Sequence, residues 1–460
     1  MSSKIIRSET HLLSTSPDVQ ASVERTIRTY RNAVRAVATI IMTHWPEISA
    51  ADSKCMAVEA LFHPTAKRPI AKYALLSRKL GKMPSYLRRA AIEAAYGAVS
   101  SYLSNYANWL DDTERERGTR PPRMGVSNVN PPLYGGNMIL IAPDWRSVKI
   151  KLLGADGKWA FSPSLKVRGR MKRANAKKVL CPSLLMKGRK VSLSCPVEIK
   201  RPAFIKEKDV GRVCSVDVGI NTAATAAIVD TTGTVIARKF ITCGRHNDRR
   251  DALHTQIAAR QDDSHGGIGK RLGAGFCTTL YRRIAGLSLN AARRMASELM
   301  AFALEHGAKA LVIENLKGWK PTGKGKKQRK RFHRFQHRML VKYLTYKCEE
   351  FGLKLLEVFA RGTSYFAYDG SGPVKRDKTN ATLATFGNGR QYNADLNAAY
   401  NIAARGLAIL LKMAEAKTAA IPGAVAEGPV RPGQKSGRSS RIPTVLADVW
   451  AFHARTLARA

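Results

Sequence analysis

Residues 212–241 read RVCSVDVGINTAATAAIVDTTGTVIARKFI, and the reading of this stretch decides the fold. VCSVDVG and TAATAAIV are short runs rich in Val, Ile, Thr and Ala; a D-T-T-G turn from Asp230 to Gly233 then leads into TVIARKFI. Such runs, joined by a tight Asp/Gly turn, predict a three-stranded antiparallel meander. Downstream, a long basic stretch with helical spacing reaches His306, followed by an apolar strand ALVIEN (310–315), a helix from about His333, a strand LKLLEVF (353–359) and a helix from Asp395 to Lys412. The order is βββ-α-β-α-β-α. After Met413, an Ala-, Gly-, Pro- and Ser-rich stretch predicts a mobile tail until a short helix near Val445 to Arg459.

Upstream the periodicity differs. KIIRSETHLL near the N-terminus predicts an extended segment, and S-P-D-V at Ser16 to Val19 is a capped helix start with apolar residues continuing through Ile40 and Met42. Between Pro84 and Leu110, Ile92, Ala95, Val99, Leu103, Tyr106 and Leu110 recur at three- and four-residue steps, predicting a second long helix. The polar, Pro-rich DDTERERGTRPPRMGVSNVNPP is a linker. Beyond it Val148, Ile150 and Leu152 alternate with lysines, and Val191, Leu193 and Cys195 with serines, so residues 120–208 predict a basic β unit.

The chain has 460 residues, with 78 Lys plus Arg against 34 Asp plus Glu, a formal net charge of +44. This excludes a neutral metabolic enzyme as the default, and 44% apolar residues exclude a disordered basic tail. A folded chain this positive points to a polyanionic partner, because each neutralised phosphate releases counterions. Nucleic acid leads; an anionic membrane surface is second. The longest apolar run, Ala33 to Trp45, is short and carries Arg35, and MSSKIIRSETHLL lacks a signal peptide's apolar region, so a cytoplasmic protein is expected. Seven scattered cysteines without a C-x-x-C support neither a disulfide framework nor a zinc knuckle.

Against this positive background, three carboxylates stand out: Asp217 in CSVDVGINTAATA, Glu314 at the end of LVIENL, and Asp395 at the start of ADLNAAYNIA. Burying a carboxylate costs several kcal/mol unless a cation, hydrogen bonds or a metal compensates it. Each alone has an ordinary structural reading as a turn former, a strand terminus or a helix N-cap. Together, in a chain built to hold phosphates, they suggest a shared Mg²⁺ site, since magnesium takes oxygen ligands and fills its shell with water and phosphate oxygens. Two such ions about 3.5–4 Å apart activate water and stabilise the leaving oxygen of a phosphodiester.

The order D-x-G-x-N-T-x-A-T at Asp217, V-I-E-N-L at Glu314 and A-D-L-N-A-A-Y-N-I-A at Asp395 resembles the three motifs of the split RuvC nuclease domain of TnpB, the transposon-encoded RNA-guided nuclease, and of the compact type V CRISPR effectors. The resemblance is strong over residues 209–412, and KRPIAKYALLSRKLGKMPSYLRRAAIEAAYGAVSSYL also looks like the recognition helices of some TnpB-like proteins. It implies an α+β multidomain chain: an RNase H-like (RuvC) domain preceded by a β-rich wedge-type domain with an inserted helical recognition domain. Residues 1–12 are then the first wedge strand, 13–118 the helical domain, 119–208 the rest of the wedge, 209–412 the nuclease domain, and 413–460 the mobile tail with its terminal helix. The implied activity is RNA-guided DNA endonuclease, with guide RNA and target double-stranded DNA as partners and no membrane. Asp217, Glu314 and Asp395 would be its catalytic, metal-binding triad, served by Mg²⁺ or Mn²⁺. A nuclease-silent guided repressor or recruitment protein and a guide-free, resolvase-like nuclease are the alternatives; the intact triad argues against the first, and the roughly 200 residues ahead of Asp217 against the second.

The chain departs from TnpB in the loop insertion at 360–394. TnpB carries a four-cysteine zinc knuckle there, whereas matching places Ala367, Gly370, Thr385 and Asn388 at the ligand positions, so no zinc is expected. Lys317 to Lys342, KGWKPTGKGKKQRKRFHRFQHRMLVK, has no acidic residue. Lys317, Lys320, Lys327, Arg331 and Arg334 are expected to hold phosphates, with Trp319, Phe332 and Phe335 available to stack on bases. Arg88 and Arg89 either reach a DNA groove or decorate an exposed helix face. His333 and His337 lie one turn apart without a third ligand and are read as surface histidines.

Overall fold

The computed structural model describes residues 4–458 except 67, 114–117, 127, 170–177, 204–205, 207–208, 220–221, 266–272, 274, 318–336, 378, 381 and 414–443. Two compact units divide the chain, Met1–Lys200 and Arg201–Ala460.

In the first unit, strand β1 (Lys4–Leu13) precedes helices α1 (Pro17–Thr43), α2 (Trp45–Ala50), α3 (Lys54–Phe62), α4 (Ala74–Leu80) and α5 (Ser85–Asp111). Strands β2 (Ile139–Ile141), β3 (Ser147–Leu153), β4 (Trp159–Phe161), β5 (Leu165–Arg168), β6 (Lys178–Val179), β7 (Ser183–Lys187) and β8 (Lys190–Lys200) follow. They form one sheet of order β2-β3-β5-β1-β8-β6, with β4 on β3 and β7 on β8. β1 runs antiparallel to β8 from Lys4↔Lys200 to Leu12↔Ser192, so the five helices lie in sequence between strands of one sheet. The Ser16 hydroxyl caps α1 by accepting from the Val19 amide at 3.4 Å. α1 buries Val23, Ile27, Tyr30, Val34, Val37 and Ile41, a helical stripe that meets Leu87, Ala91, Ile92, Ala95 and Val99 of α5 in one core. The expected α5 stripe leaves the core after Leu103, since Leu110 is exposed. There Tyr102, Tyr106 and Trp109 stack on one another instead, at 5.8 and 5.7 Å.

The second unit is built on β9 (Arg212–Asp217), β10 (Ala224–Asp230), β11 (Val235–Ile241), β12 (Ala310–Asn315) and β13 (Lys354–Phe359), in the order β11-β10-β9-β12-β13. β9, β10 and β11 form the antiparallel meander, whereas β12 lies parallel to both β9 and β13. Helices α6 (Gly244–His265) and α7 (Thr278–Glu305) connect β11 to β12, and α8 (His337–Phe351) precedes β13. Successive strand residues point to opposite faces. Cys214, Val216, Leu311 and Ile313 therefore pack with Met295, Leu299 and Leu344 of α7 and α8, while Val213, Ala310 and Val312 pack under α9 (Ala394–Leu410). α9 lies directly on β12: a Cβ at Gly406 would stand 2.5 Å from Val312 Cγ2.

Two expectations change here. The 360–394 insertion, expected as a loop, carries a small sheet, β14 (Lys375–Arg376), β15 (Leu383–Thr385) and β16 (Gln391–Asn393). Residues 414–443 of the expected mobile tail lie outside the described residues; from 444 onward the chain is docked. Helix α10 (Leu446–Leu457) buries Leu446 and Val449 completely, because these two apolar side chains one turn apart complete the core under α9. Among the described residues no helix is long and apolar enough to cross a membrane.

Candidate functional site

The parallel register Val312↔Ser215 and Ile313↔Val216 brings Glu314 level with Asp217 at the carboxyl ends of adjacent strands. Both follow the alternation onto the face covered by α9. Asp395 enters from the first turn of α9, where the Asn393 side chain accepts from the Asp395 and Leu396 amides at 3.0 and 2.9 Å. The three carboxylates are partly buried and near enough to act on one another. Burial, and then the charges of Glu314 and Asp395, push the Asp217 carboxyl well above the usual range; Arg376 and the Val218 amide oppose them. Among the described residues no group of three His, Cys, Asp or Glu side chains closes to metal-holding distance. Like charges left to themselves keep apart, and a hard divalent ion here would take part of its shell from water and substrate oxygens.

Around Glu314 a set of residues emerges that the sequence reading missed. The buried Thr363 hydroxyl lies against Glu314 Oε1 and the Ala360 carbonyl, and the Arg405 guanidinium donates to the Phe359 carbonyl. Burial pushes the Glu314 carboxyl up, the Thr363 hydrogen bond and the Arg405 charge pulling the other way. Burial lowers Arg405 to about 10, so it remains a cation at neutral pH. His337 is buried rather than a surface residue: Nε2 lies 2.8 Å from the Glu314 carbonyl, because the first residue of α8 faces the end of β12. Burial lowers its pKa, so the neutral ring donates to that carbonyl.

A signal for part of this set stood in the motif ADLNAAYNIA. Asn397 and Asn401, four apart in α9, are fully buried. Asn401 donates to the carbonyls of Thr363 and Phe366 at 2.9 and 2.7 Å, and Asn397 accepts from the Tyr368 amide at 2.8 Å. The two asparagines thus pin the start of the insertion to α9. The insertion is closed by aromatic packing: the Tyr368 ring meets Phe386, Tyr392, Tyr400 and Trp450 at 5.6, 5.3, 5.1 and 6.2 Å. Where zinc ligands were matched, Ala367 is buried, Gly370 turns the chain at φ +80°, and Asn388 donates to Asp369 Oδ2 at 3.1 Å.

The cations fare unevenly. Lys317 is exposed just past Glu314, its amide held by Asn315 Oδ1 at 2.9 Å. Lys320, Lys327, Arg331, Arg334, His333 and the aromatics Trp319, Phe332 and Phe335 lie outside the described residues. Arg88 does not reach outward: it is buried, with Nε and Nη2 on Glu59 Oε1 at 3.0 and 2.9 Å, because α3 supplies a buried carboxylate opposite it. Arg89 shares that carboxylate through Oε2 at 3.1 Å while its side chain remains 62% exposed.

Residues 337–402 match the family model of the Cas12f1-like TNB domain, and residues 7–154 match that of the Aq_aa04 family. No curated protein matches the chain. Among solved structures it is similar to that of a Cas12f1–sgRNA–target DNA complex, at 13% identity over 87% of this chain and 99% of that one, with a TM-score of 0.49. It is also similar to the mini-RNA-guided endonuclease CRISPR-Cas-phi3, at 13% identity over 88% and 92% with a TM-score of 0.44. The Alicyclobacillus acidoterrestris C2c1 complex with single-guide RNA aligns at 10% identity over 84% and 66% with a TM-score of 0.44. Residues 337–402, from α8 into α9, thus match a Cas12f1-like TNB domain, a stretch that includes the acidic motif at Asp395.

Proposed function

We propose that the chain is an RNA-guided DNA endonuclease whose RNase H-like, magnesium-dependent site is formed by Asp217, Glu314 and Asp395. The observation that carries this reading is the register of β9 and β12, which sets Asp217 and Glu314 level beneath the helix that begins with Asp395. The antiparallel meander followed by two parallel strands, with helices on both faces, agrees with an RNase H-like sheet. The TNB match and the +44 charge favour nucleic acid as partner.

The donor set fits a hard divalent cation: three carboxylates, oxygen only, near enough that the charges of Glu314 and Asp395 add to burial in raising Asp217. Asp217, Glu314 and Asp395 would hold it, and when bound it supplies Lewis-acid stabilisation for phosphodiester hydrolysis. Thr363 fixes one oxygen of Glu314, Oε1. Asp217 must shed any proton its raised pKa retains before it can serve as a ligand. Arg376, exposed on β14, opposes through its charge the raising of Asp217, and the same positive charge would favour a phosphate bound beside that carboxylate.

The test is direct. Asp217→Ala, Glu314→Ala and Asp395→Ala are each expected to abolish cleavage of DNA matched to the RNA that copurifies with the chain, while target binding persists because it is spread over many cations. Substantial cleavage by Asp395→Ala rejects the triad, and full-rate cleavage by RNA-free protein selects a guide-free nuclease.

A further inference from the structure

Strand β11 is an edge of the five-stranded sheet, and part of it faces the same side as the carboxylates. Asp217 of β9 pairs with Thr225 of β10, and Thr225 pairs with Phe240 of β11. Residues directly opposite in an antiparallel pair point to one face, so Phe240 and Asp217 share a face. Two strand spacings separate them, about 10 Å, the span of roughly three stacked nucleotides. Phe240 is 48% exposed, and Arg238, two residues along on the same face, is exposed too. Lys239 between them points the other way, its Nζ 5.7 Å from the centre of the Phe302 ring on the α7 side.

A second arginine meets Arg238 from the insertion. Arg238 Nη1 donates to the Tyr392 hydroxyl at 3.4 Å, and Arg390 Cζ lies 5.5 Å from the centre of the same ring. The turn between β15 and β16 holds Arg390 in place: its amide donates to Asn388 Oδ1 at 3.1 Å, and its carbonyl accepts from the Phe386 amide at 2.8 Å. Tyr392 itself stands three residues ahead of Asp395. Among the described residues neither arginine is paired with a carboxylate, so two cations bracket one tyrosine with no acid between them. An exposed phenylalanine is ordinary by itself. Beside two guanidiniums, whose planar forks match phosphate oxygens, it completes the pattern of a single-strand platform, in which rings stack on bases while cations track the backbone.

We propose that Phe240, Arg238 and Arg390 form a substrate subsite for single-stranded DNA, Phe240 stacking on a base and the two guanidiniums holding a phosphate of the strand being cut. The proposal rests on reading Asp217, Glu314 and Asp395 as the nuclease site. A base stacks on Phe240 only when it is free of its complement, so the subsite selects a separated strand. Every base has a face to stack, so it does so without regard to sequence.

The experiment uses the full chain with its copurifying RNA and matched DNA in which single phosphates of the cut strand are replaced by neutral methylphosphonates. One position, about two to four nucleotides from the cut, should slow single-turnover cleavage about tenfold, the worth of a hydrogen bond between charged groups. Arg238→Gln combined with Arg390→Gln should slow the all-phosphate strand by about the same factor and erase the sensitivity at that position, which a merely structural role would leave in place. Phe240→Leu keeps apolar bulk and loses the stacking face; its rate should fall about tenfold, while Phe240→Tyr keeps most of it. In EDTA, iodouracil placed in the same strand should form a photoadduct with Phe240, a readout that needs neither cleavage nor a variant. A scan with no sensitive position, a sensitivity that survives the paired glutamine substitutions, or no adduct at Phe240 would each overturn the subsite. If the parent leaves matched DNA whole, or Asp217→Ala still cuts it, the nuclease reading fails, and the adduct alone then decides whether a single strand lies on this face.

Discussion

The Thr363 hydroxyl donates to Oε1 of Glu314, joining the insertion to the central sheet across a separation of 49 residues. A hydrogen bond to a carboxylate favours its charged form, and here it opposes the burial that pushes Glu314 up. Thr363→Val keeps the shape and removes the donor. Its cleavage rate should fall about tenfold, the ordinary worth of a charge-assisted hydrogen bond, with target binding unchanged. Thr363→Ser should keep most of the parent rate. Single-turnover cleavage of the three proteins side by side checks this, and equal rates for valine and threonine would remove Thr363 from the site.

The raised Asp217 carboxyl has a consequence for stability. Its pKa is near the ordinary carboxylate value in the unfolded chain and well above it in the fold, so between the two the native state holds the extra proton. Stability of the metal-free protein therefore falls as pH rises from the unfolded pKa toward the folded one, and the full cost is present above both. Asp217→Asn removes that cost. In EDTA at neutral pH it should melt higher than the parent, by about 2–4 °C for each kcal/mol relieved, and the gap should close as pH is lowered through the window. Thermal unfolding across pH decides it, and a variant that melts lower at neutral pH would mean that Asp217 sits unstrained.

The meander at 212–241 was legible because its short runs rich in Val, Ile, Thr and Ala and its D-T-T-G turn are local signals, and β12 because an apolar strand between helical patterns has few other readings. The three acids could be named because carboxylates at element ends are conspicuous in a chain of +44 charge. What surrounds them was not legible. Thr363, His337, Arg376 and Arg405 reach the site from elements distant in sequence, and nothing in their immediate neighbours marks them. His337 misled for the same reason: a histidine in a basic stretch looks solvated until the end of β12 is placed against it. The C-terminal helix was legible, but its docking was hidden differently, since a weakly apolar segment after a Gly- and Pro-rich stretch acquires its role only when Leu446 and Val449 find the core under α9.

Arg88 shows how a surface reading fails when a partner is remote. Its guanidinium and that of Arg89 share Glu59. Burial pushes the Glu59 carboxyl up, but the hydrogen bonds and charges of both arginines outweigh it and hold the carboxyl below its ordinary value. Arg88→Ala leaves that buried carboxylate with Arg89 alone and opens space in the helical core. The variant should lose about 3 kcal/mol, within the range for breaking a buried ion pair. Arg89→Ala should lose about 1 kcal/mol or less, because its side chain is largely in water. Chemical denaturation of both variants tests the ranking, and an Arg88→Ala protein as stable as the parent, with altered preference among target DNAs, would return Arg88 to the nucleic-acid interface.

The insertion leads to a prediction about metals. Gly362 to Asn393 contains neither cysteine nor histidine, and the positions matched to zinc ligands hold Ala367, Gly370, Thr385 and Asn388. Zinc needs thiolate, imidazole or carboxylate ligands in a closed tetrahedron. Asp369 is the nearest carboxylate to those positions, and it is engaged with the Ser371 amide and hydroxyl at 3.0 and 2.6 Å and with Asn388. The rings of Tyr368, Phe386, Tyr392 and Tyr400 supply the cohesion that a metal would otherwise give, with the Tyr392 and Tyr400 hydroxyls 3.0 Å apart. Purified protein should therefore contain much less than one zinc per chain, and dialysis against a zinc-selective chelator should leave its melting temperature unchanged. EDTA should stop cleavage, and added Mg²⁺ alone should restore it, since the oxygen donors at Asp217, Glu314 and Asp395 suit a hard ion. Tyr368→Ala should loosen the insertion as loss of a metal would in a zinc-held one, lowering the cleavage rate while target binding persists. Stoichiometric zinc by elemental analysis, retained through dialysis and needed for folding, would show that the aromatic cluster does not carry the insertion.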